Sequence, residues 1–223
     1  MVLVLWDIDH TLIDTRGVGR ELSAEAFSRT TGQKMRRQAK IDGITEAVIF
    51  RETAKLHGLT TTRADFGRFA QELVAAHLRR SADLRERGQV LPGASAALDA
   101  LAVQPGVRQT ALTGNVRRVA EIKLEVFGLD RHIDWEIGAY GEDNDVRAEL
   151  VRIALERAGL TPAEAVLVGD TPADVEASHD SDVRIIAVAS GRSGQAELRA
   201  AGADVVLPSL DDTELFLKLV CRS

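Results

Sequence analysis

Apolar residues follow two different patterns along this chain, and the change between them indicates two modules. Val2–Trp6 is an uninterrupted apolar run, which predicts a strand buried on both faces of a parallel sheet. Residues 16–88 instead repeat apolar positions at helical spacing. They predict three helices, over residues 18–31, 44–57 and 64–87. From Val90 onward short apolar runs alternate with helical patterns, which is typical of parallel strands joined by right-handed helical crossovers.

The predicted fold is therefore α/β, with a small helical bundle inserted after the first strand of an open parallel sheet. The later strands are predicted at residues 107–112, 133–139, 165–169, 183–189 and 203–207. The helices between and after them are predicted at residues 116–127, 148–158, 172–178 and 194–201 and from Asp211 onward. We predict one module of residues 1–15 and 89–223 and a second of residues 16–88, with hinges near residues 14–18 and 87–92.

Composition and charge restrict the class of protein further. The chain has 223 residues, of which 45% are hydrophobic, enough for a packed core, and a net charge of −6 with scattered arginines, so we expect no nucleic-acid partner. Cys221 is the single cysteine, which excludes an internal disulfide and suggests a reducing compartment. The first apolar run lacks a basic leader, and no run approaches the roughly 18 apolar residues of a membrane span. We expect a cytoplasmic protein that does not contact membranes, and the oligomeric state stays open.

Two carboxylates follow the first strand, in Asp7-Ile8-Asp9-His10-Thr11-Leu12. Residues two apart on a strand project to the same side, so Asp7 and Asp9 start as neighbours at the carboxyl end of a strand, where open α/β sheets bind ligands. Their mutual repulsion would be relieved by a hard cation such as Mg²⁺. The alternative interpretation is a solvated turn.

Two later strand ends also carry polar residues. Thr113-Gly114-Asn115 joins a hydroxyl, a residue that allows close backbone approach and an amide at a helix start. This is a natural anion cradle, and equally an ordinary strand-to-helix turn. Asp170 and Asp174 follow the strand at 165–169. They complement the dipole of the next helix, but a third acidic strand end fits a metal site better.

Together these residues resemble the haloacid dehalogenase (HAD) superfamily of phosphotransferases. The first motif of that family, Asp-x-Asp-x-Thr, matches Asp7, Asp9 and Thr11, and its second matches Thr113. Its fourth, Gly-Asp-x-x-x-Asp, matches Gly169, Asp170 and Asp174. The resemblance implies a Rossmann-like parallel-sheet core, with residues 16–88 as the inserted helical cap domain.

The chain departs from the family pattern at two positions. His10 replaces a usual glycine; histidine tolerates a positive φ better than most residues, and His10 is also a candidate substrate-side group. The usual lysine of the third motif is missing, and Arg147 is the basic residue in the right region. We assign Arg147 to phosphate binding, since a guanidinium also binds phosphate and offsets carboxylate repulsion. Lys123 is the fallback, but its position within a helix suggests a surface role.

The resemblance implies a phosphatase mechanism. Asp7 would attack phosphorus to form an aspartyl-phosphate, and Asp9 would protonate the leaving alcohol and later activate water. Mg²⁺ would be held by Asp7, the Asp9 main chain and Asp170, with Asp174 in support. The phosphate-binding residues would be Thr113, Gly114, Asn115 and Arg147.

The cap would close over the substrate, a small phosphorylated metabolite, and determine specificity. Its loop Gly43-Ile44-Thr45-Glu46 is similar to loops that face the active site in such enzymes. We predict that Thr45, Glu46 and Arg51 touch the leaving group. Phosphoglycolate phosphatase is the nearest analogy.

Several alternatives remain at this stage. A phosphomutase of β-phosphoglucomutase type uses the same two aspartates. Dehalogenation is disfavoured, because enzymes that cleave carbon–halogen bonds generally lack the acid at the position of Asp9. A signalling receiver domain is disfavoured by the insert after the first strand. A non-catalytic relative is disfavoured by the retained acids.

Overall fold

The computed structural model of the protein describes residues 1–40 and 43–221. Its core is a five-stranded parallel sheet in the order β4-β1-β5-β6-β7. Two short antiparallel strands, β2 and β3, pair outside this sheet. The strands are β1 (Val2–Trp6), β2 (Ile13–Asp14), β3 (Gln89–Val90), β4 (Val107–Ala111), β5 (Ala165–Gly169), β6 (Arg184–Val188) and β7 (Val205–Leu207). The predicted α/β class with a parallel sheet is confirmed.

The helices follow the predicted order with some differences. They are α1 (Val18–Thr31), α2 (Glu46–Leu56), α3 (Arg63–Arg79), α4 (Ser81–Arg87), α5 (Ala94–Ala102), α6 (Arg117–Phe127), α7 (Arg147–Ala158), α8 (Pro172–Asp180), α9 (Gln195–Ala200) and α10 (Thr213–Val220). The single helix predicted over residues 64–87 is two helices, because the backbone of Arg80 (φ −113°, ψ 27°) leaves the helical region. Helix α5 was not predicted.

The strand predicted over residues 133–139 does not form. One isolated bridge joins Ala139 to Leu112. The Thr110 hydroxyl donates to the Asp134 carbonyl, and the Tyr140 hydroxyl donates to the Trp135 carbonyl. Residues 135–137 form a turn, so the segment hydrogen-bonds to β4 through the amides of Asp134 and Ala139 without a continuous ladder.

Strand β1 lies between β4 and β5 and is buried on both faces. Val4 and Trp6 belong to the apolar cluster under α5, α6 and α10, whereas Leu3 and Leu5 belong to the cluster under α7, α8 and α9. This division follows the alternation of side chains along a strand. It explains why the sequence of β1 is apolar without interruption.

Helices α1 to α4 form a separate apolar cluster above the carboxyl edge of the sheet. Phe50 stacks on Phe69 with ring centroids 4.6 Å apart, and Phe27 packs edge-on to Phe50. Val116 and Val119 of the sheet module join the same cluster. The inserted helices and the sheet module thus share apolar contacts through α6, and the division at residues 16–88 stays a prediction.

The strands β2 and β3 are the two connections between the sheet module and the inserted helices. Ile13 pairs with Val90, and Asp14 pairs with Gln89. They lie within or beside the predicted hinges. In residues 1–40 and 43–221, no helix is both long enough and apolar enough to cross a membrane.

Candidate active site

Three carboxylates from separate parts of the chain meet at the carboxyl edge of the sheet. Asp7 follows β1, Asp170 follows β5, and Asp174 lies in the first turn of α8. One carboxylate oxygen of each lies within 4.8 Å of the others, and all three residues are buried. They meet because β1 and β5 are paired neighbours, with the Asp7 amide donating to the Val168 carbonyl at 2.9 Å. The predicted convergence of these acids is observed.

The turn after β1 is shaped by His10 and held by its neighbours. His10 has φ 66°, so histidine does adopt the left-handed conformation that glycine usually supplies here. The Ser190 hydroxyl donates to the His10 carbonyl at 2.7 Å. The Thr11 hydroxyl donates to Asp170 at 3.3 Å, which ties the loop after β1 to the loop after β5. Gly191 passes so close to Asp170 that a Cβ would collide with its carboxylate.

Arg147 lies buried between two of the acids. Its Nη2 donates to Asp7 Oδ1 at 2.8 Å, and its Nε donates to Asp174 Oδ1 at 2.7 Å. The other oxygen of Asp174 accepts from the Thr171 amide and hydroxyl. Arg147 therefore offsets the repulsion between Asp7 and Asp174, and both oxygens of Asp174 are engaged by protein groups.

Lys123 corrects one expectation from the sequence. It is 5% exposed, and its ammonium donates to both oxygens of Asp9, at 2.7 and 2.9 Å, and to Asn115 Oδ1 at 2.7 Å. The predicted surface role is wrong. Helical spacing does place Lys123 on α6, but that face of α6 is turned toward the end of β1.

Asn115 also has contacts that differ from the predicted phosphate binding. Its Nδ2 donates to Asp9 Oδ2 and to Thr113 Oγ1, both at 2.7 Å, and its main-chain amide donates to Thr113 Oγ1 at 3.2 Å. With Oδ1 on Lys123, every polar group of its side chain is used within the protein. Asn115 thus orients Asp9 and Lys123, and the Asp9 carboxylate is not part of the three-acid cluster.

Burial and charge shift the pKa values of these acids in opposite directions. Burial raises the pKa of Asp7 to about 7, against the lowering effect of Arg147. Burial and the charges of Asp7 and Asp174 raise the pKa of Asp170 to about 9. Burial would also raise the pKa of Asp9, but the Lys123 ammonium and the Asn115 amide outweigh it and lower that pKa below its usual value. Arg147 therefore compensates the burial of Asp7 and Asp170 only in part, whereas Lys123 and Asn115 outweigh the burial of Asp9.

The inserted helices close over this edge and leave a cavity of about 140 Å³. The Glu46 amide donates to the Gly114 carbonyl at 2.8 Å, and a Cβ on Gly114 would lie 2.5 Å from the Ile44 carbonyl oxygen. Glycine is required there because two backbones approach closely. The predicted site residues that line the cavity are Asp7, Asp9, His10, Glu46, Thr113, Gly114, Asn115, Arg147 and Asp170.

Two predicted leaving-group residues lie elsewhere. Thr45 is buried beneath the start of α2 and is not on the cavity wall. Arg51 forms an ion pair with Asp145 of the sheet module at 2.6 Å, outside the cavity. Conversely His77 of α3 lines the cavity and was not predicted. Its place in an apolar helical pattern is that of a core residue, and no local motif marks it.

Comparison with known proteins gives consistent matches. Residues 4–179 match the family model described as haloacid dehalogenase-like hydrolase, and residues 146–213 match a HAD-hydrolase-like model. A phosphoglycolate phosphatase of Cupriavidus necator is 32% identical over 144 residues, which are 64% of this chain and 62% of that protein. The match thus spans less than two thirds of that relative.

Solved structures show the same fold over the whole chain. A hydrolase from Pseudomonas syringae superposes with a TM-score of 0.72 at 19% identity and covers 100% of both chains. A putative β-phosphoglucomutase from Thermotoga maritima superposes with a TM-score of 0.62 at 19% identity, over 99% of this chain and 100% of that one. At these identities the likeness concerns the fold alone.

Proposed function

Because this chain belongs to the haloacid dehalogenase-like hydrolase family, we propose that it is a Mg²⁺-dependent phosphatase of small phosphate monoesters. The observation that carries this proposal is the meeting of Asp7, Asp170 and Asp174 around one space at the sheet edge. The relative named phosphoglycolate phosphatase adds support for phosphate-ester chemistry.

The residues at this edge fit a divalent cation. Arg147 pairs with two of the three buried carboxylates, those of Asp7 and Asp174, and the raised pKa values of Asp7 and Asp170 reflect burial and the repulsion that Arg147 relieves only in part. An all-oxygen ligand set is what Mg²⁺ prefers. Asp7, the Asp9 main-chain carbonyl and Asp170 would hold the ion, and Asp174 would support them through Arg147 and Thr171. Bound there, Mg²⁺ would supply electrostatic stabilisation of the phosphoryl oxygens.

The chain's own residues would then perform two displacements. The Asp7 carboxylate attacks phosphorus, the bond to the ester oxygen breaks, and the leaving alkoxide takes a proton from Asp9. Water next gives a proton to Asp9 and attacks the phosphorus of the aspartyl-phosphate, which releases phosphate and restores Asp7. The Thr113 hydroxyl, the Gly114 main chain and Arg147 would hold the phosphoryl oxygens.

Lys123 and Asn115 take positioning roles in this scheme. They hold the Asp9 carboxylate at three donor–acceptor distances below 3 Å: two from the Lys123 ammonium and one from the Asn115 amide. A phosphoryl group entering the cavity would compete for the Lys123 ammonium. Asp9 would then be freed toward the ester oxygen, with burial raising its pKa.

The test is phosphate release from a panel of small phosphate esters with and without Mg²⁺, comparing wild type with Asp7→Asn. We expect Mg²⁺-dependent turnover in wild type and none in Asp7→Asn. Asp180→Asn, an exposed acid on α8, is the matched control and should retain activity. Equal turnover by wild type and Asp7→Asn would exclude Asp7 as the nucleophile. Release without any added sugar phosphate distinguishes a hydrolase from a phosphomutase.

A further inference from the structure

The cap side of the cavity carries a buried histidine with one unpartnered nitrogen. His77 of α3 is 2% exposed and lines the cavity. Its Nδ1 lies 2.8 Å from the Leu73 carbonyl oxygen, and because a carbonyl oxygen only accepts, Nδ1 carries the hydrogen. Burial lowers the pKa of His77 to about 4, so the ring is neutral near neutral pH. Nε2 is then a bare acceptor, and no described residue donates to it.

A second histidine in the same module shows what such an acceptor requires. His57 places its Nδ1 2.8 Å from the Thr53 carbonyl, four residues earlier, in the same local arrangement as His77. The Nε2 of His57 accepts from the Arg36 amide at 2.9 Å. His57 thus has an internal donor, whereas the corresponding nitrogen of His77, a residue of the cavity wall, has none among the described residues. Buried acceptors in folded proteins are normally paired, so His77 indicates a ligand that donates.

Glu46, the first residue of α2, lines the same cavity and carries a second unpartnered acceptor. Its Oε2 is buried and no described residue donates to it. Burial raises the pKa of Glu46 to about 7, against the lowering effect of Lys123. Lys123 itself donates to Asp9 and Asn115. Above neutral pH the inserted helices therefore carry two acceptors, His77 Nε2 and Glu46 Oε2, that receive no hydrogen bond from any described residue.

We propose that His77 Nε2 and the Glu46 carboxylate together bind hydroxyl groups of the leaving alcohol. The preferred substrates are then phosphate esters of hydroxylated alcohols, namely sugar or polyol phosphates. This inference rests on the proposed phosphatase function and specifies its substrate class.

The same residues disfavour a leaving group that carries a carboxylate. An acid such as phosphoglycolate would place its charge beside Glu46 and the lone pair of His77, and both interactions are repulsive. Arg20, an exposed residue of α1, also lines the cavity and is the group that a carboxylate would use instead. A preference for phosphoglycolate that depends on Arg20 is therefore the result that would contradict the proposal.

Three two-carbon esters separate these possibilities: hydroxyethyl phosphate, ethyl phosphate and phosphoglycolate. They differ only at the second carbon, which is a hydroxymethyl group, a methyl group or a carboxylate. The measurement is kcat/KM for each of these esters and for a fourth substrate, glycerol phosphate. It is made on wild type, His77→Phe, Glu46→Gln and Arg20→Gln. His57→Phe is the matched control, since its acceptor is paired within the protein and lies outside the cavity. Calorimetric binding of the same esters to Asp7→Asn with Mg²⁺ gives a readout that needs no turnover.

We expect the kcat/KM of wild type to be about tenfold or more higher for hydroxyethyl phosphate than for ethyl phosphate. Ethyl phosphate has no hydroxyl to donate to the buried acceptors, which would then stay unpaired. That preference should fall several-fold in both His77→Phe and Glu46→Gln and not in His57→Phe. Glu46→Gln should also raise kcat/KM for phosphoglycolate, because the negative charge that repels its carboxylate is gone. Should His77→Phe not fold, Glu46→Gln alone decides.

Two results would overturn the inference. One is a hydroxyl preference that neither variant alters. The other is a preference for phosphoglycolate that Arg20→Gln abolishes. If no ester is hydrolysed at all, the proposed function fails instead, and the calorimetric comparison of the three esters still decides whether hydroxyls are recognised.

Discussion

At the scale of single residues, the state of Asp9 depends on Lys123. The ammonium and the carboxylate are joined by two contacts, and the lysine is almost fully buried. Burial by itself favours the protonated acid, so the ammonium keeps Asp9 ionised. In the proposed mechanism Asp9 is the general acid and base, which needs a pKa near the working pH, and Lys123 would adjust that pKa.

Lys123→Met tests that dependence. Without the ammonium the pKa of Asp9 should rise, so we expect the limb of the pH–rate profile that reports Asp9 to move to higher pH. General acid–base catalysis contributes about 10²–10⁴ in rate, and kcat should fall by part of that factor. Lys218→Met, an exposed lysine of α10, is the control. If that limb of the pH–rate profile does not move, Lys123 does not set the pKa of Asp9 in the working enzyme.

Arg147 is a second buried cation, and its removal tests the charge balance of the three acids. Arg147→Met leaves Asp7 and Asp174 without their guanidinium, and breaking a buried ion pair costs about 3–5 kcal/mol. We expect the free energy of unfolding in EDTA to fall by roughly that amount. The measurement is urea unfolding, with Arg152→Met on an exposed turn of the same helix as control. A loss no larger than that of the control would contradict the buried network.

At the scale of elements, the contact between α2 and the turn after β4 holds the cap on the sheet module. The Glu46 amide at the start of α2 donates to Gly114, and Gly114 leaves room for the Ile44 carbonyl. Helix starts have unsatisfied amides, so this hydrogen bond stabilises α2 as well as the closed arrangement. The cap is thus positioned by backbone groups, which no side-chain pattern reveals.

Gly114→Ala should push these two backbones apart. The new Cβ would lie 2.5 Å from the Ile44 carbonyl oxygen and 3.1 Å from Thr45 Cα. We expect faster hydrogen exchange of the Glu46 amide and about a tenfold lower kcat/KM, because a closed cap excludes water and orients substrate. Gly67→Ala is the control: its Cβ meets nothing, and the helix α3 should gain about 1 kcal/mol. Unchanged exchange in Gly114→Ala would show that the cap does not rest on this contact.

At the scale of the whole molecule, the acidic cluster couples global stability to pH and to metal. The pKa of Asp170 is about 9 in the folded protein against 3.8 for an ordinary aspartate. In metal-free protein the folded state keeps a proton that the unfolded chain loses between these values. Stability from this group is therefore present at low pH and is lost as the pH rises.

Asp170→Asn removes this titration. In EDTA, we expect the variant to gain stability relative to wild type as pH rises from about 5 to about 8, by about 1.4 kcal/mol per pH unit at most. With Mg²⁺ the order should reverse, because wild type binds the ion and the variant loses a ligand. Urea unfolding at several pH values, with Asp180→Asn as control, measures both effects. A difference independent of pH and of Mg²⁺ would contradict a cation site at this edge.

The family resemblance and the α/β class were correctly predicted from local sequence. An uninterrupted apolar run identifies β1 because both of its faces are buried, and acids at strand ends identify the ligand edge because parallel strands end together. Arg147 was placed beside the acids on the order of motifs along the chain, and its contacts agree. Such inferences succeed where function depends on position relative to a strand or helix end.

Other features are decided by how elements pack, and the sequence carries no local mark of them. Lys123 reaches Asp9 across 114 residues, Asn115 turns inward to both, and His77 enters the cavity only because α3 lies over the sheet edge. Helical periodicity identifies the buried face of a helix but not the group that the face meets. Arg51 and Thr45 were misplaced for the same reason, since Arg51 pairs with Asp145 and Thr45 is buried at the residue that precedes α2. Partners in a buried polar site are chosen by long-range packing, which is a property of the folded chain.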